Sequence, residues 1–337
     1  MKIVILSNET SDDYKEFINN NKNTLFYHQI KYKNLLKYIL GCDENYILLY
    51  DDNKLCGVLP ILLKDGKYGH ILNSLPYYGS NGGIIAENNK YKASLINIYN
   101  DLSNEVGSAV YVENPFEQND FIPKSNLQEE RISQVTLLDK IEDIYDLDNC
   151  FTPSKRWDIK KAIKSKVRIF KNNSRIAQEF LYKTHKNHMQ SIGMQWKSRG
   201  LFEYIFSNFI KGSDYDIFVG KINDKLISAL LVLYFKNITE YYCPVVLNNY
   251  RSSQALSLTI YEAMKNSLEM KRKIWNWGAS GDSQNSSVYK FKKKWLTIDK
   301  KYYYHILINN KQIFSSNKYS LEKNYNGFFV IPYSKLK

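Results

Sequence analysis

Apolar and polar positions follow two distinct periods along the chain. Residues 46–63, YILLYDDNKLCGVLPILL, give an apolar stretch, a polar break at 51–54 and a second apolar stretch rich in Leu, Ile and Val. That is the pattern of a β-hairpin. Residues 215–235, YDIFVGKINDKLISALLVLYF, repeat it with a break at 223–225, and aligning Lys54 with Lys225 superposes the two. The second strand of each hairpin is a continuous apolar run, as a strand buried on both faces requires, which predicts sheets covered by helices. Around the hairpins the period changes to three and four. It predicts helices over 29–40, on Ile30, Leu35, Leu36 and Ile39, and over 201–210, on Leu201, Ile205 and Phe209. Downstream of each hairpin come a loop, an amphipathic helix and a strand, at 91–106 and 109–112 in the first half and at 253–270 and 274–277 in the second. The order helix, strand, strand, strand, helix, strand thus occurs twice and predicts an α/β fold with two similar domains.

The join is expected at 150/151, giving domains 1–150 and 151–337. Just after it, Pro153 and Ser154 open a helix that leads into a strand from Val167, and a longer helix over 174–191 carries His185 and His188. Charge changes sign at the same place. The net +13 divides into 14 Lys+Arg against 22 Asp+Glu in residues 1–150, and 33 against 12 in residues 151–337. Lys outnumbers Arg 40 to 7 and Asn, Ile and Tyr are abundant, as an AT-rich coding bias produces, yet the first half is acidic in spite of it. A basic nucleic-acid-binding module fits poorly. Basic and aromatic residues follow no recognised RNA- or DNA-binding pattern, and the acidic half would repel a phosphate backbone.

The longest apolar run, 226–235, is interrupted by Ser228 and is far short of the ~20 residues that cross a bilayer. The first residues, MKIVILSNETSDD, offer too short an apolar core for a signal peptide, so a soluble, cytoplasmic protein is expected. Cys42, Cys56, Cys150 and Cys243 are scattered without zinc-site spacing, which predicts neither a disulfide nor a metal.

Three segments carry candidate chemistry. The loop SLPYYGSNGG, residues 74–83, combines Pro76 and three glycines with Tyr77, Tyr78, Ser80 and Asn81, groups suited to gripping a small substrate; a plain wide turn fits it as well. The segment NNYRSSQAL, residues 248–256, follows a predicted strand over 238–246 and starts a helix. Its free N–H groups, with Arg251, Ser252 and Ser253 beside them, suit a phosphate or pyrophosphate. It has the place and approximate form of the acyl-CoA cradle of GNAT acetyltransferases, R/Q-x-x-G-x-G/A, with Gln254 where the first glycine belongs and Ala255 after it. In WNWGASGDSQNSSVYKFKKKW, residues 275–295, a strand ends in a loop and a short helix presents Tyr289, Lys290 and Lys292, able to set a phenol and an ammonium beside a developing anion.

These segments resemble the FemABX-like branch of the GNAT superfamily and its CelD-like acyltransferase relatives. VYKFKKKW, residues 288–295, is similar to the family's LYxFKxGF, with Lys294 in place of glycine, and WNWGAS, residues 275–280, to its FDFGxS strand end. Residues 154–169 resemble the family's R-x-x-I-x-K-A-x-K-x-x-V-x-V helix and strand through Arg156, Ile159, Lys161, Ala162, Lys164, Val167 and Ile169, and residues 24–36 resemble its aromatic-rich helix entry. The resemblance implies two tandem GNAT-like domains in mixed sheets covered by helices, with the acceptor on the first and the acyl donor on the second. It implies that Lys292 lies near the transferring carbonyl, that Tyr289 protonates the departing thiolate, and that Arg156 and Lys160 grip an acceptor phosphate or carboxylate. Tyr77, Tyr78, Gly82 and Gly83 are the further acceptor-side candidates, and 251–255 the donor-side ones.

The activity so implied is transfer of an acyl or aminoacyl group from an anionic carrier to an amine of an amino sugar or cell-envelope precursor, which includes sugar nucleotides and lipid-linked acceptors. Acyl-CoA is the favoured cosubstrate and aminoacyl-tRNA the alternative, with no bound cofactor. A non-catalytic scaffold is the other class left open, because Gln254 and Lys294 stand where glycines belong. His185 and His188 share a helix face but lack a third ligand, so they and His28 are read as structural or surface residues.

Overall fold

The computed structural model describes residues 1–75, 81–117, 120–280 and 284–336. The chain forms two compact units, one of Met1–Ile132 with Lys300–Lys337 and one of Ser133–Asp299.

The first unit contains β1 (Lys2–Ile5), α1 (Ser11–Asn20), α2 (Ile30–Leu40), β2 (Asp43–Glu44), β3 (Ile47–Asp51), β4 (Lys54–Leu59), β5 (Leu62–Lys64), β6 (Ile71–Asn73), β7 (Ile85–Ala86), α3 (Asn89–Asn104) and β8 (Ser108–Val112), and then the first residues of β9 (Leu127–Leu137). One sheet has the order β1-β3-β4-β7; β8, β6, β5 and β2 lie side by side in another. The apolar run 55–63 is therefore not one strand. Pro60 has no N–H to give a ladder, and the run parts there into β4 and β5, each paired in a different sheet. The first half accordingly has more strands than the second, and the expected element order holds there only in outline.

The second unit holds residues 133–137 of β9, α4 (Ile144–Cys150), α5 (Pro153–Lys164), β10 (Arg168–Lys171), α6 (Arg175–Ser191), α7 (Arg199–Asn208), β11 (Tyr215–Ile222), β12 (Lys225–Phe235), β13 (Ile238–Val246), α8 (Ala255–Glu269), β14 (Ile274–Ala279) and α9 (Ser287–Lys293). Strands run in the order β10-β11-β12-β13-β14, followed by residues 133–137, with β13 and β14 the parallel pair. Helices α6 and α8 both pack on β12, which is buried from Ile227 onward, and this is why its sequence is a continuous apolar run. The chain then returns to the first unit through β15 (Ile298–Ile308), which pairs with β8, and α10 (Lys318–Asn324). Tyr325 Oη accepts from the Tyr68 amide at 2.7 Å and Ser108 Oγ donates to the Val330 carbonyl at 2.8 Å, tying this return segment to its unit.

The two hairpins share more than their pattern. Each closes on a two-residue turn whose residues both have positive φ, Asp52 with Asn53 and Asn223 with Asp224, the turn whose twist matches paired strands. Each also carries a β-bulge at the same offset: after the pairs Asp51↔Lys54 and Tyr50↔Leu55 the first skips Cys56, and after Ile222↔Lys225 and Lys221↔Leu226 the second skips Ile227. The alignment of Lys54 on Lys225 reproduces both features.

The units divide at 132/133 and 299/300, not at 150/151. Leu138, Ile141, Leu147 and Phe151 are buried in the second core with Trp275, Trp277 and Trp295, so residues 133–150 belong to it. The charge contrast shrinks with this division. The lysine-rich return segment raises the first unit to 20 Lys+Arg against 18 Asp+Glu, net +2, and leaves the second with 27 against 16, net +11. No helix among the described residues is long and apolar enough to cross a membrane.

Candidate active site

Strands β13 and β14 pair through Ile238↔Ile274, Thr239↔Trp275 and Glu240↔Asn276, and then part. The parting has a local cause. The register of β12 against β13 shifts between Leu231 and Val232, leaving Tyr242 as a bulged residue, and a bulge bends and twists its strand. Beyond it β13 stays with β12 to Val246, while β14 follows residues 133–137. The result is a fork, floored by the buried Glu240 carboxylate, which accepts from Asn276 Nδ2 at 2.9 and 3.2 Å. Tyr241 and Trp277 stand at its opening with ring centroids 4.9 Å apart.

Helix α8 starts beside the end of β13 with no side-chain cap. Its N-cap is Gln254, at φ 59° and ψ 23°. The left-handed backbone that a glycine would adopt is therefore kept by a residue with a Cβ, which costs roughly 1–2 kcal/mol. The uncapped first turn leaves N–H groups and the positive end of the helix dipole to an anion. Arg251 is exposed on the preceding turn with Nη2 3.2 Å from His188 Nδ1. Ser252 is exposed, Ser253 Oγ donates to the Tyr250 carbonyl at 2.6 Å, and Ala255 is buried. His188 thus stands against Arg251 of the candidate donor segment, and burial, then Arg251, lowers its pKa. His185 is packed inward, accepts from the Lys197 amide at 3.0 Å, and is pushed down to about 4 chiefly by burial. Lys197 lies over the Tyr242 ring at 5.3 Å, and burial lowers its pKa as well.

Helix α9 is capped by Ser286, whose Oγ accepts from the Tyr289 amide at 3.1 Å. Its lysine run is not uniformly solvated. Lys290, Lys293 and Lys294 are exposed, but Lys292 is 5% exposed and donates to the carbonyls of Trp277 at 2.7 Å, Ala279 at 2.8 Å and Gly278 at 3.4 Å. An ammonium has three protons, and these three carbonyls take them. Burial pulls its pKa down to about 7. Lys292 therefore holds the end of β14. The Tyr289 hydroxyl donates to Asp299 Oδ2 at 2.6 Å, and that hydrogen bond is the main reason its pKa is pushed up to about 12. Asp299 Oδ1 also accepts from Lys293 at 3.1 Å and Gln134 at 3.4 Å, and Gln134 Oε1 accepts from Ser280 Oγ at 2.6 Å.

Arg156 is half-buried and Lys160 exposed on α5. The residue that α5 buries is Lys155, 2% exposed, bonded to Asp158 at 2.7 Å and Ser257 at 3.1 Å, with the Phe291 and Trp295 rings at 4.7 and 4.9 Å. It pins α5, α8 and α9 together. Burial lowers its pKa. Sequence spacing did not single out Lys155, Lys197, Glu240 and Asp299, because each is placed by a partner brought in from a distant element, Ser257, Tyr242, Asn276 and Gln134 respectively.

In the first unit, Tyr77 and Tyr78 lie outside the described residues. Gly82 and Gly83 are packed rather than open. A Cβ on Gly82 would meet the Leu75 side chain at 2.7 Å, and one on Gly83, at φ +83°, the Tyr111 hydroxyl at 2.7 Å. Asn81 and Tyr302 are both fully buried, with the Asn81 side chain within interaction range of the Tyr302 hydroxyl.

No protein-family model and no curated protein sequence matches the chain. Solved structures do. FemX is similar over 93% of this chain and 99% of its own, at 14% identity and a TM-score of 0.69. The C-terminal domain of a putative lysylphosphatidylglycerol synthetase from Agrobacterium fabrum is similar over 96% and 98%, at 9% identity and 0.57. A tandem GNAT protein from the clavulanic acid biosynthesis pathway is similar over 90% and 97%, at 10% identity and 0.52. The chain has the FemABX-like, tandem GNAT-type acyltransferase fold.

Proposed function

We propose that the protein is an acyltransferase that moves an acyl or aminoacyl group from an anionic carrier to an amine of an amino sugar or cell-envelope precursor. The observation that carries this reading is the fork between β13 and β14 beside the uncapped start of α8. The open edge of β13 offers backbone partners to an extended donor arm, and the α8 terminus with Arg251 takes the donor's phosphates.

In this reading the acceptor amine attacks the donor carbonyl. The carbon–nitrogen bond forms, the carbonyl electrons move to oxygen, and their return breaks the bond to the carrier's sulfur, or to the ribose oxygen of a tRNA ester, which takes up one proton overall as the amine gives one up. Lys292 fixes the carbonyl-rich end of β14 against α9, so its contribution is to position the strand and to set a positive charge behind it. Tyr289 protonates the leaving group only if Asp299 releases its hydroxyl, and its substitution by Phe tests that role. Arg156 and Lys160 on α5 are the acceptor-side cations in this reading.

Acyl-CoA is the favoured donor, since the cradle is compact. Aminoacyl-tRNA is the second donor, and the likeness to a domain of a putative lysylphosphatidylglycerol synthetase keeps a lipid-linked acceptor in view. Incubation of amino-sugar and envelope-precursor amines with acetyl-CoA or charged tRNA, read by mass spectrometry, tests the proposal. Acylated product with one donor, and a KM for that donor raised about tenfold in Arg251→Ala with kcat kept, is the expected result, as loss of one charge-assisted contact gives. Inertness with both donors across the panel overturns it.

A further inference from the structure

A cavity of about 440 Å³ lies in the first unit, where the chain crosses from one sheet to the other at Pro60. Its apolar lining comes from both sheets. Ile47 stands at the start of β3, Leu63 on β5 and Leu72 on β6, with Ile61 in the crossing, where its carbonyl accepts from the Asn45 amide at 2.9 Å. Ile47, Ile61, Leu72 and Val106 are buried, whereas Ile5 of β1 and Leu102 of α3, also in the lining, are 47% and 38% exposed.

The polar part of the lining is Asp43, Asn45, His70 and Glu105, without a lysine or an arginine. His70 Nδ1 lies 3.6 Å from Asp65. Asp43 and Glu105 are exposed, and neither has a cation within ion-pair distance among the described residues. Lys37 and Lys64, on the elements that flank Asp43, are engaged elsewhere: Lys37 with Glu44 at 2.7 Å, and Lys64 with the carbonyls of Leu40 and Gly41 at 2.8 and 2.7 Å. Glu105 caps the C-terminus of α3, the negative end of the helix dipole, where an acid is disfavoured and a cation favoured. Lys124, near that end, donates to Asn104 Oδ1 at 2.8 Å and is not in the lining.

We propose that this cavity is a binding site for a small primary amine with an apolar aliphatic or aromatic body, the body against Ile47, Ile61, Leu72 and Val106 and the ammonium met by Asp43 and Glu105. A concave apolar surface with a few charged groups of one sign selects a ligand by both features. A carboxylate- or phosphate-headed amphiphile finds no cation in the lining and is repelled by both acids. The cavity lies before β8, whereas Gly83 of the candidate acceptor loop meets Tyr111 and Val112 at the far end of that strand. The donor fork belongs to the second unit, so the inference does not depend on the transferase reading.

The test uses the full chain with phenylbutylamine, phenylbutanol and phenylbutyrate, which share one apolar body and differ in charge. Calorimetry is expected to show the amine bound about tenfold more tightly than the alcohol, at up to roughly fivefold for each partly exposed carboxylate, and the acid bound most weakly. Methyl resonances of Ile47, Ile61 and Leu72 are expected to shift with the amine. Asp43→Asn with Glu105→Gln brings the amine and the alcohol to equal affinity, and Leu102→Lys, at an exposed position, weakens the amine and strengthens the acid. Absence of amine binding, equal affinity for the three probes, a preference for the amine kept in the double variant, or methyl shifts confined to other residues overturns the proposal.

Discussion

The burial of Lys292 makes a prediction with a definite sign. Its ammonium is held by three carbonyls and no carboxylate, and its pKa is about 7 against an ordinary 10.5. Between those two values the unfolded chain binds the proton and the folded chain releases it, so stability rises with pH through this window and the cost of the buried charge is greatest below it. At about 1.4 kcal/mol per pKa unit the shift corresponds to about 5 kcal/mol, an upper bound because the carbonyls stabilise part of the charge. All five tryptophans lie in the second unit, so urea unfolding followed by tryptophan fluorescence from pH 6.5 to 10 reports the unit that contains Lys292. The wild type is expected to gain stability with a one-proton slope from this residue, and Lys292→Met, which keeps most of the stem, to lose that component. Lys155, Lys197 and Lys236 add slopes of the same sign, so the difference between wild type and variant is the quantity to read. Equal slopes in the two proteins refute the reasoning.

Three further outcomes follow from the geometry. Gln254→Gly relieves the left-handed backbone and leaves urea stability within about 1 kcal/mol of wild type or above it, whereas Gln254→Val lowers it by more than about 1 kcal/mol. Gly107→Ala would set a Cβ 2.2 Å from the Tyr68 carbonyl oxygen, and a loss of about 2 kcal/mol or more from the first unit, with protease susceptibility confined to that unit, is expected. Lys155→Ala removes the Asp158 ion pair and the contacts with Phe291 and Trp295, and it lowers the thermal midpoint of the second unit with a loss of about 2–4 kcal/mol.

Much of the fold was legible in the sequence, for reasons that particular residues show. The hairpins were visible because their strands are long and their turns hold Asp-Asn and Asn-Asp, which tolerate positive φ. The helix at Pro153 was visible because proline suits a first helical turn. The unit boundary was not, because β9 passes through it without any break in composition, and a sign change in charge marked a place that packing ignores. In the candidate site, Arg251 and Gln254 were singled out by their place at a helix start, and Lys292 only by the resemblance of 288–295 to a family segment. Spacing did not separate Lys292, which faces β14 and is buried, from Lys293 and Lys294, which are exposed. Nor did it distinguish Arg156 from Lys155, one position away, which α5 turns inward onto Phe291 and Trp295.

The central claim is that the fork and the start of α8 hold the acyl carrier. Amide hydrogen exchange of the full chain, measured with and without acetyl-CoA and then with an aminoacyl-tRNA, tests it most directly. Slowed exchange at 255–257 and 277–279 with one of the two carriers, lost in Arg251→Ala, is the predicted result. Protection by neither carrier, or protection confined to the first unit, would contradict it.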